Sequence, residues 1–212
     1  SNNGSRFAIG DTQYAIRLLG EFNIYNCLAA VAVGRTLGID LKTCKNGLEK
    51  VESIPGRMEV IDEGQPFTVI VDYAHEPKSF EWTYQTLRQL TTGRLIGVFG
   101  SCGGGRDKAR RPILGRLAAK YADYAILTNE DPYDEDPAEI IKQIEVGIEE
   151  PRADFHYEII LDRKEAIKKA FSLAKPGDCV ILTGKGSEQA IVSAHGERIP
   201  WDERKVAREL LK

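Results

Sequence analysis

Four short stretches of the chain concentrate the side chains able to hold charge or exchange protons. They are Asp72-Tyr73-Ala74-His75, Gly100-Ser101-Cys102-Gly103-Gly104-Gly105-Arg106-Asp107, Thr128-Asn129-Glu130-Asp131-Pro132-Tyr133 and Thr183-Gly184-Lys185-Gly186-Ser187-Glu188. A glycine run ahead of an arginine can turn backbone N–H groups toward an anion and add a fixed positive charge. The same run also suits a plain flexible turn, and the two readings weigh equally on these residues. It is not a Walker loop, since GxxxxGK[ST] is absent. In the acidic run that follows, Asp136 is explained as a helix cap, while Asp131 before Pro132 has no structural duty. Lys185 and Glu188 raise the last stretch above an ordinary strand-to-loop turn. Asp72 and His75, taken alone, read as a helix cap and a surface histidine.

What these stretches share is position. Apolar runs at Phe67–Val71, Leu95–Phe99, Tyr124–Leu127, Tyr157–Ile160 and Cys179–Leu182 predict strands, and four of them end at the polar stretches. Helical patterns fall between them at Lys78–Leu90, Pro112–Tyr121, Pro137–Ile148 and Arg163–Ala174. Asp136 with Pro137, and Asp162 with Glu165 three residues on, are start signals for two of these helices. Regular alternation of this kind predicts βαβ units and an α/β, Rossmann-like, mainly parallel sheet flanked by helices. In such a sheet, ligands gather beyond the carboxyl ends of the strands. Four chemically able turns at one sheet end therefore outline a pocket rim.

The first fifty-four residues follow another pattern. Arg6–Ile9 and Tyr14–Leu19 predict a hairpin turned at Gly10-Asp11. A helix carries Leu28, Ala29, Ala32, Val33, Thr36 and Leu37 at helical spacing up to Gly38, and a second spans Leu41–Val51. Pro55-Gly56 marks the expected boundary between residues 1–54 and 55–212. A last helix is expected at Trp201–Leu211.

Composition narrows the class. The 212 residues carry 29 Lys and Arg against 32 Asp and Glu, a formal charge of −3, which argues against a nucleic-acid partner. No apolar run is long enough to span a bilayer, and the first residues do not read as a secretory signal. The four cysteines, Cys27, Cys44, Cys102 and Cys179, have no metal-ligand spacing and fit a reducing, cytoplasmic setting.

Read together in order, the motifs resemble a known family. Gly20-Glu21-Phe22-Asn23-Ile24-Tyr25-Asn26, Pro55-Gly56-Arg57-Met58-Glu59, Asp72-Tyr73-Ala74-His75-Glu76-Pro77, Gly103–Asp107 with Arg111-Pro112, Asp131-Pro132 with Glu135-Asp136-Pro137, and Gly184-Lys185-Gly186 resemble the Mur ligases. Within that family they look most like the muramyl-tripeptide synthetases. The resemblance implies an ATP-dependent ligase of peptidoglycan synthesis that adds a diamino acid, diaminopimelate or lysine, to UDP-MurNAc-L-Ala-D-Glu. It places Asn23 near adenine, Arg57 and Asp72 at the ribose and phosphates, and His75 as the catalytic-site histidine near the nucleotide. Arg106 is expected to pair with the amino acid's carboxylate, and Glu130, Asp131, Pro132 and Tyr133 to form its specificity loop, with Gly184 and Glu188 lining the same pocket. A guanidinium grips a carboxylate bidentately, and a glutamate accepts an ammonium.

Four positions depart from the pattern. Asp131 and Tyr133 stand where diaminopimelate enzymes of the family carry Asn and Arg, Ser187 replaces a histidine, and Gly105 replaces an aspartate. Loss of the arginine removes a partner for diaminopimelate's distal carboxylate and favours a cationic end such as that of lysine or ornithine. The resemblance further implies that residues 1–54 are the tail of a central ATP-binding domain and residues 55–212 the C-terminal domain. The phosphate grip and the Mg²⁺ ligands are expected to precede this sequence, leaving no metal site here. The chain is expected to be a monomer, inactive alone, with no membrane partner. A free-standing amino-acid or nucleotide binding module without catalysis is the competing expectation.

Overall fold

A computed structural model describes residues 4–149 and 151–212, which fall into two compact units, Ser1–Ile54 and Pro55–Lys212. The first unit opens with β1 (Ser5–Ile9) and β2 (Thr12–Ile16), an antiparallel hairpin in which Phe7 stacks on the buried Tyr14. α1 (Phe22–Thr36) and α2 (Leu41–Glu49) follow, with Asp40 capping α2 through the Thr43 N–H. α1 begins six residues ahead of the apolar pattern expected from Leu28. Its buried stripe is Asn23, Cys27, Val31 and Gly34, and the expected stripe faces outward: Val33 is 62% and Leu37 73% exposed. The smaller stripe wins because Gly34 lets the Cys44 sulfur of α2 lie where a Cβ would stand only 2.8 Å away.

The second unit is a six-stranded sheet with helices on both faces. Its elements are β3 (Glu59–Ile61), β4 (Thr68–Val71), α3 (Pro77–Leu90), β5 (Leu95–Phe99), α4 (Arg110–Tyr121), β6 (Tyr124–Leu127), α5 (Pro137–Glu145), β7 (His156–Ile159), α6 (Arg163–Leu173), β8 (Cys179–Leu182), β9 (Ala190–Val192), β10 (Arg198–Pro200) and α7 (Glu203–Leu211). The strand order is β3-β4-β8-β5-β6-β7, with β3 antiparallel and the rest parallel. β5 and β8 are buried along their whole length, as strands covered on both faces must be, so they read as continuous apolar runs.

The order fixes the layers. β4 to β5 to β6 to β7 advances across the sheet, and β7 to β8 returns. Right-handed crossovers therefore place α3, α4 and α5 on one face and α6 on the other, joined there by α7. On the α6 face, Val69, Val71, Ile96, Val98, Ile126, Val180 and Leu182 pack with Ala166, Ile167 and Ala170. On the α3 face, Phe80 stacks on Tyr84 and meets the edge of Phe99. Gly97 sits in that face because a Cβ there would lie 2.4 Å from the Tyr84 hydroxyl.

Five further elements differ from expectation. α4 starts at Arg110, two residues before Pro112, because the arginines at its start are buried rather than solvated. α5 stops at Glu145, short of Ile148. β3 and the β9–β10 hairpin carry no legible strand pattern: each strand has three residues, and Glu59 interrupts the first.

Candidate active site at the carboxyl ends of the strands

The loops after β4, β5, β6 and β8 meet at the carboxyl end of the sheet, on either side of β8. That strand leads toward the α6 face, while its neighbours β4 and β5 lead to helices on the other. This is the reversal of direction at which open α/β sheets bind ligands.

Asp72 ends β4 inside the protein rather than capping a helix. Its Oδ2 accepts the Met58 N–H at 2.8 Å, and its Oδ1 accepts the Ala74 N–H at 2.9 Å and the Thr83 hydroxyl at 3.3 Å. Burial raises its pKa against those donors. Both oxygens are thus already engaged, and the carboxylate ties the Arg57–Met58 segment to β4. Arg57 lies over the Tyr73 ring at 4.2 Å and the His75 ring meets the same tyrosine edge-on at 4.6 Å. His75 shares a hydrogen bond between Nδ1 and the Tyr73 carbonyl at 2.8 Å, which makes Nδ1 the donor.

Three further strand ends join in one charged network. Lys185, fully buried after β8, donates to Asp131 Oδ1 at 2.8 Å and to Glu188 Oε2 at 2.6 Å. Burial opposes its charge, but the bonds and charges of Asp131 and Glu188 outweigh that and raise its pKa. Tyr73 donates to the other Glu188 oxygen at 2.9 Å, and burial followed by that glutamate pushes the phenol up to about 12. Asp131 Oδ1 also accepts the Val192 N–H at 2.8 Å, and the Tyr133 N–H bonds the Val192 carbonyl at 3.1 Å. The β9 strand is thereby stitched to the loop after β6. Asp131 therefore has a structural duty after all.

Glu130 is 2% exposed, and burial raises its pKa despite the opposing charge of Arg163 and the thiol of Cys102. Cys102 donates to its Oε1 at 3.0 Å, and Oε2 has no partner. Burial, then the glutamate's charge, pushes the Cys102 thiol well up, so it stays protonated. Gly184 makes room for this carboxylate: at φ 102° it is in the region glycine favours, and a Cβ there would be 2.2 Å from Glu130 Oε2.

The glycine run also has structural work. The Gly103 N–H is spent on the Asp131 carbonyl at 2.8 Å, and the Tyr133 ring, on a residue at φ 52°, lies against Gly104. Arg106 is exposed and holds no ion pair among the described residues. Pro132 is buried, and its carbonyl accepts from Glu135 N. The expected residues Asp72, His75, Arg106, Glu130, Asp131, Pro132, Tyr133, Gly184 and Glu188 lie in these loops, and Arg57, in the segment before β3, reaches them over the Tyr73 ring. Asn23 belongs to the first unit, where its amide donates to Leu19 O at 2.7 Å and accepts from Asn26 at 3.0 Å.

Several contributors have no role that the sequence assigns, although Arg111, Glu135 and Glu76 stand in its motifs. Arg111, fully buried, holds Glu135 through two bonds at 3.0 and 3.2 Å and the Cys102 carbonyl at 2.9 Å. With Lys108 it brings the Glu135 carboxyl down to about 2. Arg110, also buried, pairs with Glu76 at the start of α3.

This arrangement has counterparts. Residues 56–186 match the family model described as "Mur ligase, glutamate ligase domain". The chain belongs to the Mur ligase family. Among curated Mur ligases it is 45% identical, over 99% of its length, to the UDP-N-acetylmuramoyl-L-alanyl-D-glutamate–2,6-diaminopimelate ligase of Syntrophomonas wolfei. It is 44% identical over its full length to the UDP-N-acetylmuramyl-tripeptide synthetase of Roseiflexus sp.. It covers 43% and 42% of those two proteins, so the chain spans about two fifths of the relatives it matches. A solved diaminopimelate ligase of the family superposes with a TM-score of 0.69 at 34% identity, over 94% of this chain and 40% of that one. Mycobacterium tuberculosis folylpolyglutamate synthase, solved with ADP and AMPPCP, shares the fold at 22% identity, with a TM-score of 0.64 over 85% of this chain and 44% of that one. No helix among the described residues is long and apolar enough to cross a membrane.

Proposed function

We propose that this chain supplies the amino-acid side of the active site of an ATP-dependent ligase that extends UDP-MurNAc-L-Ala-D-Glu by one diamino acid. The observation that carries the reading is the Asp131–Lys185–Glu188–Tyr73 network, which joins the ends of β4, β6 and β8. In such a reaction ATP phosphorylates the precursor's terminal carboxylate, and the incoming amine attacks the acyl phosphate and displaces phosphate. Arg106, unpaired, is the residue to grip the amino acid's own carboxylate. Glu188, oriented by two donors, keeps lone pairs free to accept an ammonium.

Charge at the site bears on the substrate. Glu130, Asp131 and Glu188 face one ammonium, Lys185, while Arg163 is committed to Glu203 and Arg111 to Glu135. That excess favours an amino acid ending in a cation, of the lysine or ornithine kind. A second reading, diaminopimelate, is favoured by the names of the relatives. Calorimetric titration of the chain with the three amino acids separates them, and Tyr133→Arg in a ligase carrying this chain is expected to move preference toward diaminopimelate.

For the nucleotide, Arg57 is the available cation: it is exposed, stacked on Tyr73 and bonded to no carboxylate among the described residues. Asp72 then acts by holding Arg57's segment, and His75 by bracing Tyr73. Asn23 is assigned to adenine on the motif alone. Mg²⁺ is read, on the family resemblance, as held by residues outside this chain. Residues 1–54 are read as the tail of the central ATP-binding domain, a reading supported by the exposed apolar side of α1. On this reading the chain is a cytoplasmic monomer and does not turn over by itself. A ligation assay on it that showed product would overturn that part.

A further inference from the structure

α6 opens against an elementary rule. A helix N-terminus carries partial positive charge and disfavours cations, yet the first residue of α6 is Arg163, 3% exposed. Its guanidinium is bonded throughout. Nη1 donates to the Asn129 carbonyl at 3.1 Å and Nη2 to the Thr183 carbonyl at 2.7 Å. Nε and Nη2 together hold Glu203, at the start of α7, at 2.7 to 3.1 Å. Glu203 is itself fully buried and accepts the Trp201 indole N–H at 2.6 Å.

The two carbonyls are the informative partners. Asn129 immediately precedes Glu130 and Asp131; Thr183 immediately precedes Gly184 and Lys185. β6 and β8 are not neighbours in the sheet, since β5 lies between them; the ladders on β5 reach only Thr128 and Thr183, and beyond those residues the two loops are tied by side chains, Lys185 to Asp131 and Arg163 to the Asn129 and Thr183 carbonyls. We propose that Arg163 is the positioning residue of the amino-acid pocket: it clamps the β6 and β8 loops at one separation and sets the charge against which Glu130 is held, with Glu203 of α7 as its counter-ion. This rests on the ligase reading only for what the pocket binds. A buried cation at a helix start is retained because a guanidinium alone spans two carbonyls and a carboxylate at once.

The test uses the whole chain and three variants. Arg163→Met with Glu203→Leu removes both charges together and avoids stranding one in the core. Arg163→Lys keeps the charge without the fork, and Glu203→Gln weakens the support. Amide exchange is followed by mass spectrometry, and the Glu130 carboxyl by ¹³C NMR against pH. Glu130 faces the Cys102 thiol from the β5 loop, Lys185 from the β8 loop, Asp131 from its own loop and Arg163 from α6. In the double variant, exchange of amides in 129–133 and 183–188 is expected to rise roughly tenfold or more while the strand amides of β5 and β8 keep their protection. The Glu130 midpoint is expected to move up, because the Arg163 charge that lowers it is gone. Arg163→Lys is expected to restore that midpoint but not the loop protection, and Glu203→Gln to give an intermediate loosening of both loops. Unchanged loop exchange in a folded double variant overturns the proposal, as does a Lys variant that restores both readouts. Neither measurement uses a ligand, so this outcome is separate from whether the chain serves a ligase.

Discussion

At the residue scale, the site is held by ion pairs in which the cation is buried and its carboxylate is often partly exposed. Lys185 has no exposed surface and satisfies two carboxylates. Replacing it with methionine leaves Asp131 charged and unpaired beside Glu130. Breaking a buried pair from one side costs on the order of 3 kcal/mol, so Lys185→Met is expected to lower the urea midpoint strongly with little change in slope. Glu135 gives a prediction in pH. Its carboxyl is lowered to about 2 by the bonds from Arg111 and Lys108. A carboxylate depressed on folding stabilises above its unfolded pKa, about 4.3, and that contribution is lost as pH falls through 2. Thermal melts between pH 5 and 2 are therefore expected to show a shallower acid decline for Glu135→Gln than for the parent chain. Lys185, Glu188, Arg111, Glu135 and Glu76 were legible as members of motifs, but the pairings were not: Arg110, Arg111 and Arg163 find their partners Glu76, Glu135 and Glu203 at 34, 24 and 40 residues' distance.

At the element scale, the sheet was the legible part. Strands buried on both faces must be apolar throughout, so β4, β5, β6 and β8 announce themselves, and Asp136 and Asp162 cap α5 and α6 through the Ala138 and Glu165 N–H groups. The site loops were legible as positions after strands, since the parallel topology sends them all to one end. Their internal bonds were not: whether Asp131 was free or spent depended on Lys185, fifty-four residues on. α1 shows how a correct period can still choose the wrong face, because Cys27, Val31 and Gly34 form an equally regular stripe that packs more closely. The fit of α3 onto β5 can be tested directly. Gly97→Ala forces a Cβ toward the Tyr84 hydroxyl, which has no hydrogen-bond partner within 3.5 Å among the described residues, and is expected to cost about 1 to 3 kcal/mol. Tyr84→Phe removes that hydroxyl at little cost. In the double variant the penalty is expected to shrink well below the sum, as a denaturation cycle would measure.

At the scale of the molecule, residues 55–212 form a compact layered unit with its own cores, and a chain of those residues is expected to unfold in one cooperative transition. That unit carries the residues proposed to bind the amino acid, so amino-acid recognition can be examined on it. The proposed site has three carboxylates, one buried ammonium and, in the loop after β5, a guanidinium with no ion pair among the described residues. The most direct measurement is isothermal titration of the chain with lysine, ornithine and diaminopimelate at neutral pH, repeated with Glu188→Gln. The account predicts that lysine or ornithine binds more tightly than diaminopimelate and that Glu188→Gln weakens that binding tenfold or so, about 1.4 kcal/mol. Tighter binding of diaminopimelate, or binding indifferent to Glu188, would contradict it.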